Sequence, residues 1–222
     1  MTDFLRPTLT LIIDRNLYRQ TAGGKGNPLS LVEAAVSGGV DTIQLRVNRA
    51  DKDDLGLFAV AMRVRELTQG SALFVMTSEL ELAERCHADG VLLPERSYKP
   101  SEARGYLRGN VRQVGAFVQS VNGASRAERG GADYVQVGPA FPESEEMLGG
   151  MILIRKIKDA VQIPVIAFGG IMTASQVGEC IQAGADGIAV TEAITKAPDP
   201  AAAAASMKAA LEAAWQSVHG GA

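Results

Sequence analysis

Four stretches of the chain read alike: SGGVDTIQLR from Ser37, CHADGVLLP from Cys86, RGGADYVQVG from Arg129 and QAGADGIAVT from Gln182. Each carries Ala-Asp or Val-Asp and then a short β-prone run. Asp41, Asp89, Asp133 and Asp186 fall about 45 to 55 residues apart, close to two βα units per period. Such a repeat describes a helix that ends, a Gly- or Ala-containing turn that stops it, and an Asp that leads into a buried strand. Between the repeats lie further strand candidates, TLTLII (8–13), ALFVM (72–76), VRQVGAF (111–117) and IPVIAF (163–168), which makes eight. Helical stripes separate them. Leu57, Val60, Ala61, Val64 and Leu67 form one within 51–68, and Val177, Cys180 and Ile181 form another within 174–183. Pro200 suits the start of a last, Ala-rich helix, on which Trp215 reads as a packing residue. Eight strand–helix alternations predict a single (β/α)₈ TIM barrel over residues 1–222. A doubly wound open sheet is the alternative.

Composition narrows the function classes. A chain of 222 residues that is 46% apolar can bury a large core, and a net charge of −3 carries no nucleic-acid footprint. The longest apolar runs are strand-sized, short of the roughly 20 residues that span a bilayer. MTDFLRPT has no signal-peptide apolar region. A cytoplasmic protein with no membrane or nucleic-acid partner is expected; a homo-oligomer stays open. Cys86 and Cys180 are too few for a disulfide framework, and His87 and His219 too few for a multi-histidine metal site. His87 falls at a helix–strand junction on the N-terminal face, where a structural role is expected.

Side chains alternate along a strand. In the second strand Ile43 and Leu45 are expected to face the helices, leaving Thr42, Gln44 and Arg46 inside the barrel. In the sixth, Val135 and Val137 face outward and Tyr134, Gln136 and Gly138 inward. Gly90, Leu92, Gly187 and Ala189 point inward from the fourth and eighth. The C-terminal strand ends carry the site in such barrels. Residues expected there include Asp14, Arg15, Arg46, Asn48, Thr77, Ser78, Glu79, Glu95, Gln119, Glu143 and Glu192. Gly169 and Gly170 end the seventh strand, and TEAIT after the eighth opens a short helix. Side-chain-free residues there let an oxyanion approach main-chain N–H groups, and a helix start adds donors. A tight turn is the plainer alternative. Glu192 is discordant with a phosphate unless its carboxylate turns away.

At this point the chain resembles the thiamine phosphate synthase family, which includes the TenI-type thiazole tautomerases. The resemblance rests on LIIDR (11–15), GGVDTIQLR (38–46), ADGVLL (88–93), GGADYVQVGPAFP (130–142), IPVIAFGGI (163–171) and AGADGIAV (183–190). It implies a (β/α)₈ barrel and a synthase that joins a pyrimidine diphosphate, carried with Mg²⁺, to a thiazole phosphate. The thiazole phosphate would sit on the main chain at Gly169 and Gly170 and at Thr191 and Glu192 after the eighth strand.

The departures bear on activity. The family's second-strand motif, Gln-Leu-Arg-x-Lys, keeps Gln44, Leu45 and Arg46 but meets Asn48 at the Lys position. Thr77 and Ser78 replace Asn-Asp after the third strand, and Ser97 falls near the second metal-binding Asp. Phe117 and Gln119 stand where the family has Ser and His. Glu143, Glu145 and Glu146 occupy the region of a Thr-x-Thr-Lys motif. Mg²⁺ prefers carboxylate and phosphate oxygens, a diphosphate needs cations, and a tautomerase needs a proton carrier near the working pH. The resemblance so implies a divergent, transferase-type member with weak or altered activity. No cofactor follows from the residues themselves; Mg²⁺ stays open, although the ligands expected for it are absent. Arg46, Gln44 and Glu143 are expected to carry any chemistry. Asp14, Arg15, Asn48, Thr77, Gln119 and Gln136 would complete the pocket, and a phosphorylated small molecule would be the partner. Glu95 and Glu192 are acid/base candidates by position, and the acidic loop is otherwise a solvated surface. Arg46 suits an anionic ligand or an ion pair with Asp14 or a glutamate. The loop YRQTAGGKGNP (18–28) lacks Walker spacing; it reads as a flexible connection or as a lid bringing Lys25 or Arg19 to an anion.

Overall fold

In the computed structural model of the chain, eight parallel strands pair in sequence order and the eighth returns to the first, closing a barrel. The structure describes residues 6–14, 28–47, 55–95, 97–107, 109, 111–142 and 149–220. The strands are β1 (Thr8–Asp14), β2 (Thr42–Arg46), β3 (Leu73–Thr77), β4 (Gly90–Leu93), β5 (Gln113–Val118), β6 (Tyr134–Val137), β7 (Val165–Phe168) and β8 (Gly187–Val190). The described helices follow them in turn: α1 (Pro28–Ser37), α2 (Leu55–Thr68), α3 (Leu80–Arg85), α4 (Pro100–Tyr106), α5 (Val121–Arg129), α6 (Gly150–Ala160), α7 (Ala174–Gln182) and the short α8 (Glu192–Thr195). A last helix, α9 (Pro200–His219), packs on α7 and α1 and covers the seam where the barrel closes. The (β/α)₈ expectation holds, and the open sheet does not. Strand limits move by one or two residues. β7 begins after Pro164, which has no N–H for the ladder.

Alternation separates two cores. Outward side chains such as Ile43, Leu45, Val135 and Val137 join a large layer between strands and helices. A smaller cluster of Ile12, Val75, Leu92, Tyr134, Ile166 and Ala189 fills the barrel interior. Each fully buried Leu or Ile of these layers contributes about 1.5–3 kcal/mol of transfer free energy. Gly115 leaves room for Tyr134, because a Cβ there would overlap the tyrosine ring.

The fourfold repeat becomes a fourfold clasp at the N-terminal rim. Asp41, Asp89, Asp133 and Asp186 each accept a hydrogen bond from the main-chain N–H of Leu9, Phe74, Val114 and Val165 respectively, at 2.6–2.8 Å. Each aspartate's own N–H donates back to the carbonyl of that same residue, at 2.7–2.9 Å. The carboxylates also pair with Lys208, Arg65, Arg104 and Lys158. Those cations sit on α9, α2, α4 and α6, the helices that lead into β1, β3, β5 and β7 around the closed ring. One side chain thus ties an even strand to its odd neighbour and to that neighbour's incoming helix.

The turn before each aspartate is shared too. Val40, Ala88, Ala132 and Ala185 donate N–H bonds back to Ala35, Ala83, Ala127 and Cys180, at 2.9–3.1 Å. The residue two before each aspartate is left-handed: Gly39 (φ 90°), His87 (φ 54°), Gly131 (φ 87°) and Gly184 (φ 95°). This is a Schellman stop, which favours glycine. His87 fills that place in the second quarter, which gives its sequence position a structural reason.

Candidate functional site

The opposite, C-terminal rim holds a cavity of about 240 Å³ in the barrel mouth. Ile12, Leu92, Phe117 and Phe168 make its apolar wall, and Phe117 and Phe168 meet edge to face at 6.0 Å between ring centroids. Gln44, Gln136, Thr77, Ser78 and Arg46 supply its polar side. Strand parity aims Gln44 and Gln136 at each other across the barrel, and both are buried. The Gln136 Nε2 donates to Gln44 Oε1 at 3.2 Å, and Gln44 Nε2 donates to Thr77 Oγ1 at 3.1 Å. The chain of donors fixes both amide orientations. It leaves the Thr77 hydroxyl proton and the Gln136 carbonyl oxygen for another partner. Ser78, at the end of β3, has φ 74° and donates its N–H to the Leu92 carbonyl at 3.0 Å.

Arg46 ends β2 beside Asp14 of β1, its register neighbour. Its side chain is exposed at the mouth, and among the described residues it has no ion-pair partner. The internal ion pair weighed for Arg46 is therefore not formed with a described carboxylate. The lining residues described at the mouth include no carboxylate, histidine, lysine or thiol. These groups can bind and orient a ligand; a guanidinium does not give up its proton in the working pH range. Below the mouth, burial first and Asp133 second push the Tyr134 phenol well above its ordinary range. Burial also raises Cys86 to about 11 and Cys180 to about 12, so neither thiol is an activated nucleophile.

The rim after β7 and β8 answers the glycine question in two parts. Gly169 and Gly170 are left-handed, with φ 93° and 74°. The segment after β6 crosses against them: Phe141 donates its N–H to the Gly169 carbonyl at 3.0 Å, and a Cβ on Gly170 would run into the Phe141 carbonyl oxygen. The tight turn is real. Yet among the described residues the N–H groups of Gly169, Gly170, Thr191, Glu192 and Ala193 make no main-chain hydrogen bond. The Glu192 carboxylate is drawn off to Lys196 at 2.7 Å, which removes the discordance seen in the sequence.

Other expected residues land elsewhere. Gln119 is exposed beyond β5 and is not part of the cavity wall. Glu95 lies over the start of α5, where Ser120 Oγ donates to it at 3.4 Å and Gly123 leaves room for it. The Ser97 hydroxyl donates to the Pro94 carbonyl at 2.8 Å. Arg15, Asn48, Glu143, Glu145 and Glu146 lie outside the described residues, as does nearly all of the 18–28 loop with Arg19 and Lys25. Ile12 and Phe168 are wall residues the sequence reading passed over. Carrying the period-two alternation into β1 and β7 would have found them.

The family model for thiamine monophosphate synthase matches residues 9–194. The chain belongs to the thiamine monophosphate synthase family. A thiamine-phosphate synthase of Haloquadratum walsbyi is 39% identical over 210 residues, covering 90% of this chain and 88% of that protein. One of Methanospirillum hungatei is 39% identical over 180 residues, covering 79% of this chain and 85% of that protein. A solved thiamine phosphate pyrophosphorylase from Pyrococcus furiosus superposes with a TM-score of 0.80 at 31% identity, covering 94% of this chain and 96% of the other. Among the described residues no helix is long and apolar enough to cross a membrane.

Proposed function

We propose that the protein is a divergent thiamine-phosphate-synthase-like member of the family. In this reading it binds a phosphorylated thiazole-type molecule on the amides after β7 and β8, and its Mg²⁺-diphosphate half-site is degraded. The observation that carries the reading is the set of N–H groups at Gly169, Gly170, Thr191, Glu192 and Ala193 that make no main-chain hydrogen bond among the described residues, with the Glu192 carboxylate paired to Lys196. Main-chain donors of this kind suit a phosphate, as does the start of a helical turn. Arg46, Gln44 and Thr77 would orient the rest of the ligand from the other side of the mouth.

The Mg²⁺ that the family implies does not fit the residues at its expected positions. Ser78 and Ser97 offer hydroxyls in place of carboxylates; Ser97 donates to Pro94, and Thr77, at the neighbouring Asn position, accepts from Gln44. Mg²⁺ is usually held by one or two carboxylates together with phosphate oxygens. A second reading, a binder or TenI-like regulator without turnover, is favoured by the absence of a proton-carrying side chain among the described wall residues.

The test is a thermal-unfolding titration with thiazole phosphate beside a coupling assay with the pyrimidine diphosphate and Mg²⁺. Ligand at about a hundred times Kd is expected to add about 2.7 kcal/mol of stability. Coupling is expected to be slow or undetectable. Robust metal-dependent product formation overturns the degraded half-site, and no stabilisation by thiazole phosphate overturns the anion cradle.

A further inference from the structure

A second cavity, of about 350 Å³, opens on the outside of the barrel between β5, α5 and the segment that leads from β4 to α4. It exists because the helical layer is thin there. α4 has seven residues, against eleven in α6. Its first residue lies low, against the end of α5: a Cβ on Gly130 would stand 3.1 Å from Pro100 Cδ. Arg104 pins α4 in that place through the Gly131 carbonyl at 3.1 Å. The helical layer over the outer face of β5 near its C-terminal end thus keeps a gap between α4 and α5. Small residues at Ala116, Gly123 and Ala127 hollow the wall further, and Leu93 and Val118 make it apolar. The cavity meets the mouth at Pro94 and Phe117 but opens on the other side of the strand wall.

Charge at the rim is one-sided. Arg126 and Arg129 stand three residues apart on α5, so both lie on one helix face, and both border the cavity. Among the described residues neither has an ion-pair partner. Lys99, a third bordering cation, is only loosely paired, at 3.8 Å from Glu102. Among the described residues Glu95 is the one bordering carboxylate; it accepts from Ser120 and lies against Gly123. This is a local cationic rim on a chain whose net charge is −3.

We propose that this lateral cavity binds a small aromatic anion: one flat ring against Ala116, Val118 and Ala127, with a phosphate or carboxylate group on Arg126 and Arg129. The volume falls at the small end of the roughly 300–1,000 Å³ of ligand pockets. Arginine is the side chain suited to two-point contact with either anion. The site is separate from the amides after β7 and β8 and does not depend on the reading given for them.

Phenyl phosphate is the probe, with benzoate and inorganic phosphate beside it, followed by chemical-shift mapping on the full chain. Phenyl phosphate is expected to shift Ala116, Val118 and Ala127. The double substitution Arg126→Ala, Arg129→Ala should weaken those shifts about tenfold or more in affinity, and Gly170→Ala should leave them in place. Inorganic phosphate should bind at least about tenfold more weakly there, since no ring is buried. Benzoate should resemble phenyl phosphate if either anion serves. Ala116→Leu, which fills the cavity and keeps both arginines, should abolish the ring-dependent shifts. Shifts confined to Gly169, Gly170 and Thr191, shifts that survive both the double substitution and Ala116→Leu, or none up to roughly 1 mM would overturn the proposal.

Discussion

The two ends of this barrel follow different rules. At the N-terminal rim, four quarters repeat one arrangement down to the reciprocal hydrogen bonds of Asp41, Asp89, Asp133 and Asp186. Three residues further along the same strands the quarters have already diverged, to Gln44, Leu92, Gln136 and Ala189; five residues along stand Arg46, Pro94, Gly138 and Thr191. The difference has a physical source. Every quarter must stop a helix, start a strand and satisfy a buried N–H, so one solution serves four times. In the function proposed, the mouth fits a ligand without fourfold symmetry, so repetition there would be of no use.

The largest test of that division is to remove one clasp. Asp186→Ala leaves the buried Val165 N–H without its acceptor and Lys158 without its partner. A loss of about 3 kcal/mol is expected, read as a lower urea midpoint. The four clasps should then rank by the exposure of the carboxylate: Asp186 at 4%, Asp41 at 12%, Asp89 at 29% and Asp133 at 34%. Alanine at Asp133 should cost least, because water replaces part of what is lost. Gln136→Ala at the mouth should cost less than Asp186→Ala and weaken ligand binding instead. An unranked series, or a mouth substitution as destabilising as the clasp, would break the division.

Gly170→Ala probes the other rim. The new Cβ meets the Phe141 carbonyl oxygen and the residue keeps φ 74°, so the turn must shift. The strain is of order 1–2 kcal/mol, and the displaced amides should lose thiazole phosphate by about tenfold or more. Isothermal titration calorimetry with the variant decides it; undiminished binding would mean that these amides hold no anion.

Much of this architecture could be read from the chain alone, and the reasons differ by region. The place of each Asp, after a helix stop and before a strand, was legible because it repeats: a motif that recurs four times marks its own period; the bonds and ion pairs these carboxylates make were not. The interior side of β2 and β6 was legible because alternation is local, and Gln44 and Gln136 do face inward. Their bond across the barrel was not legible, since it joins residues 92 apart and depends on closure. The lateral cavity was hidden for a similar reason. It comes from where α4 sits, and a short helix in a sequence does not state its height against the next one. Gln119 misled because a position after a strand says nothing of whether the loop turns inward.

The smallest effect expected sharpens the comparison from within the repeating rim. Three quarters place glycine at the left-handed stop before the aspartate, and the second places His87, at φ 54°. A side chain there costs roughly 1–2 kcal/mol relative to a relaxed backbone. Glycine would relieve that cost but add about 0.4–1 kcal/mol of unfolded-chain entropy. On backbone terms alone His87→Gly should stabilise the protein by about 0.5–1 kcal/mol, less the interaction the histidine itself makes, read as a shift of the urea midpoint. The Arg65–Asp89 pair should be untouched, because the contact of Arg65 with residue 87 is to its main-chain carbonyl, at 3.4 Å. The matching substitution, Gly131→Ala, should move the midpoint the other way. If His87→Gly instead destabilises, the imidazole makes contacts worth more than the strain, and the second quarter has acquired a task that the other three do not share.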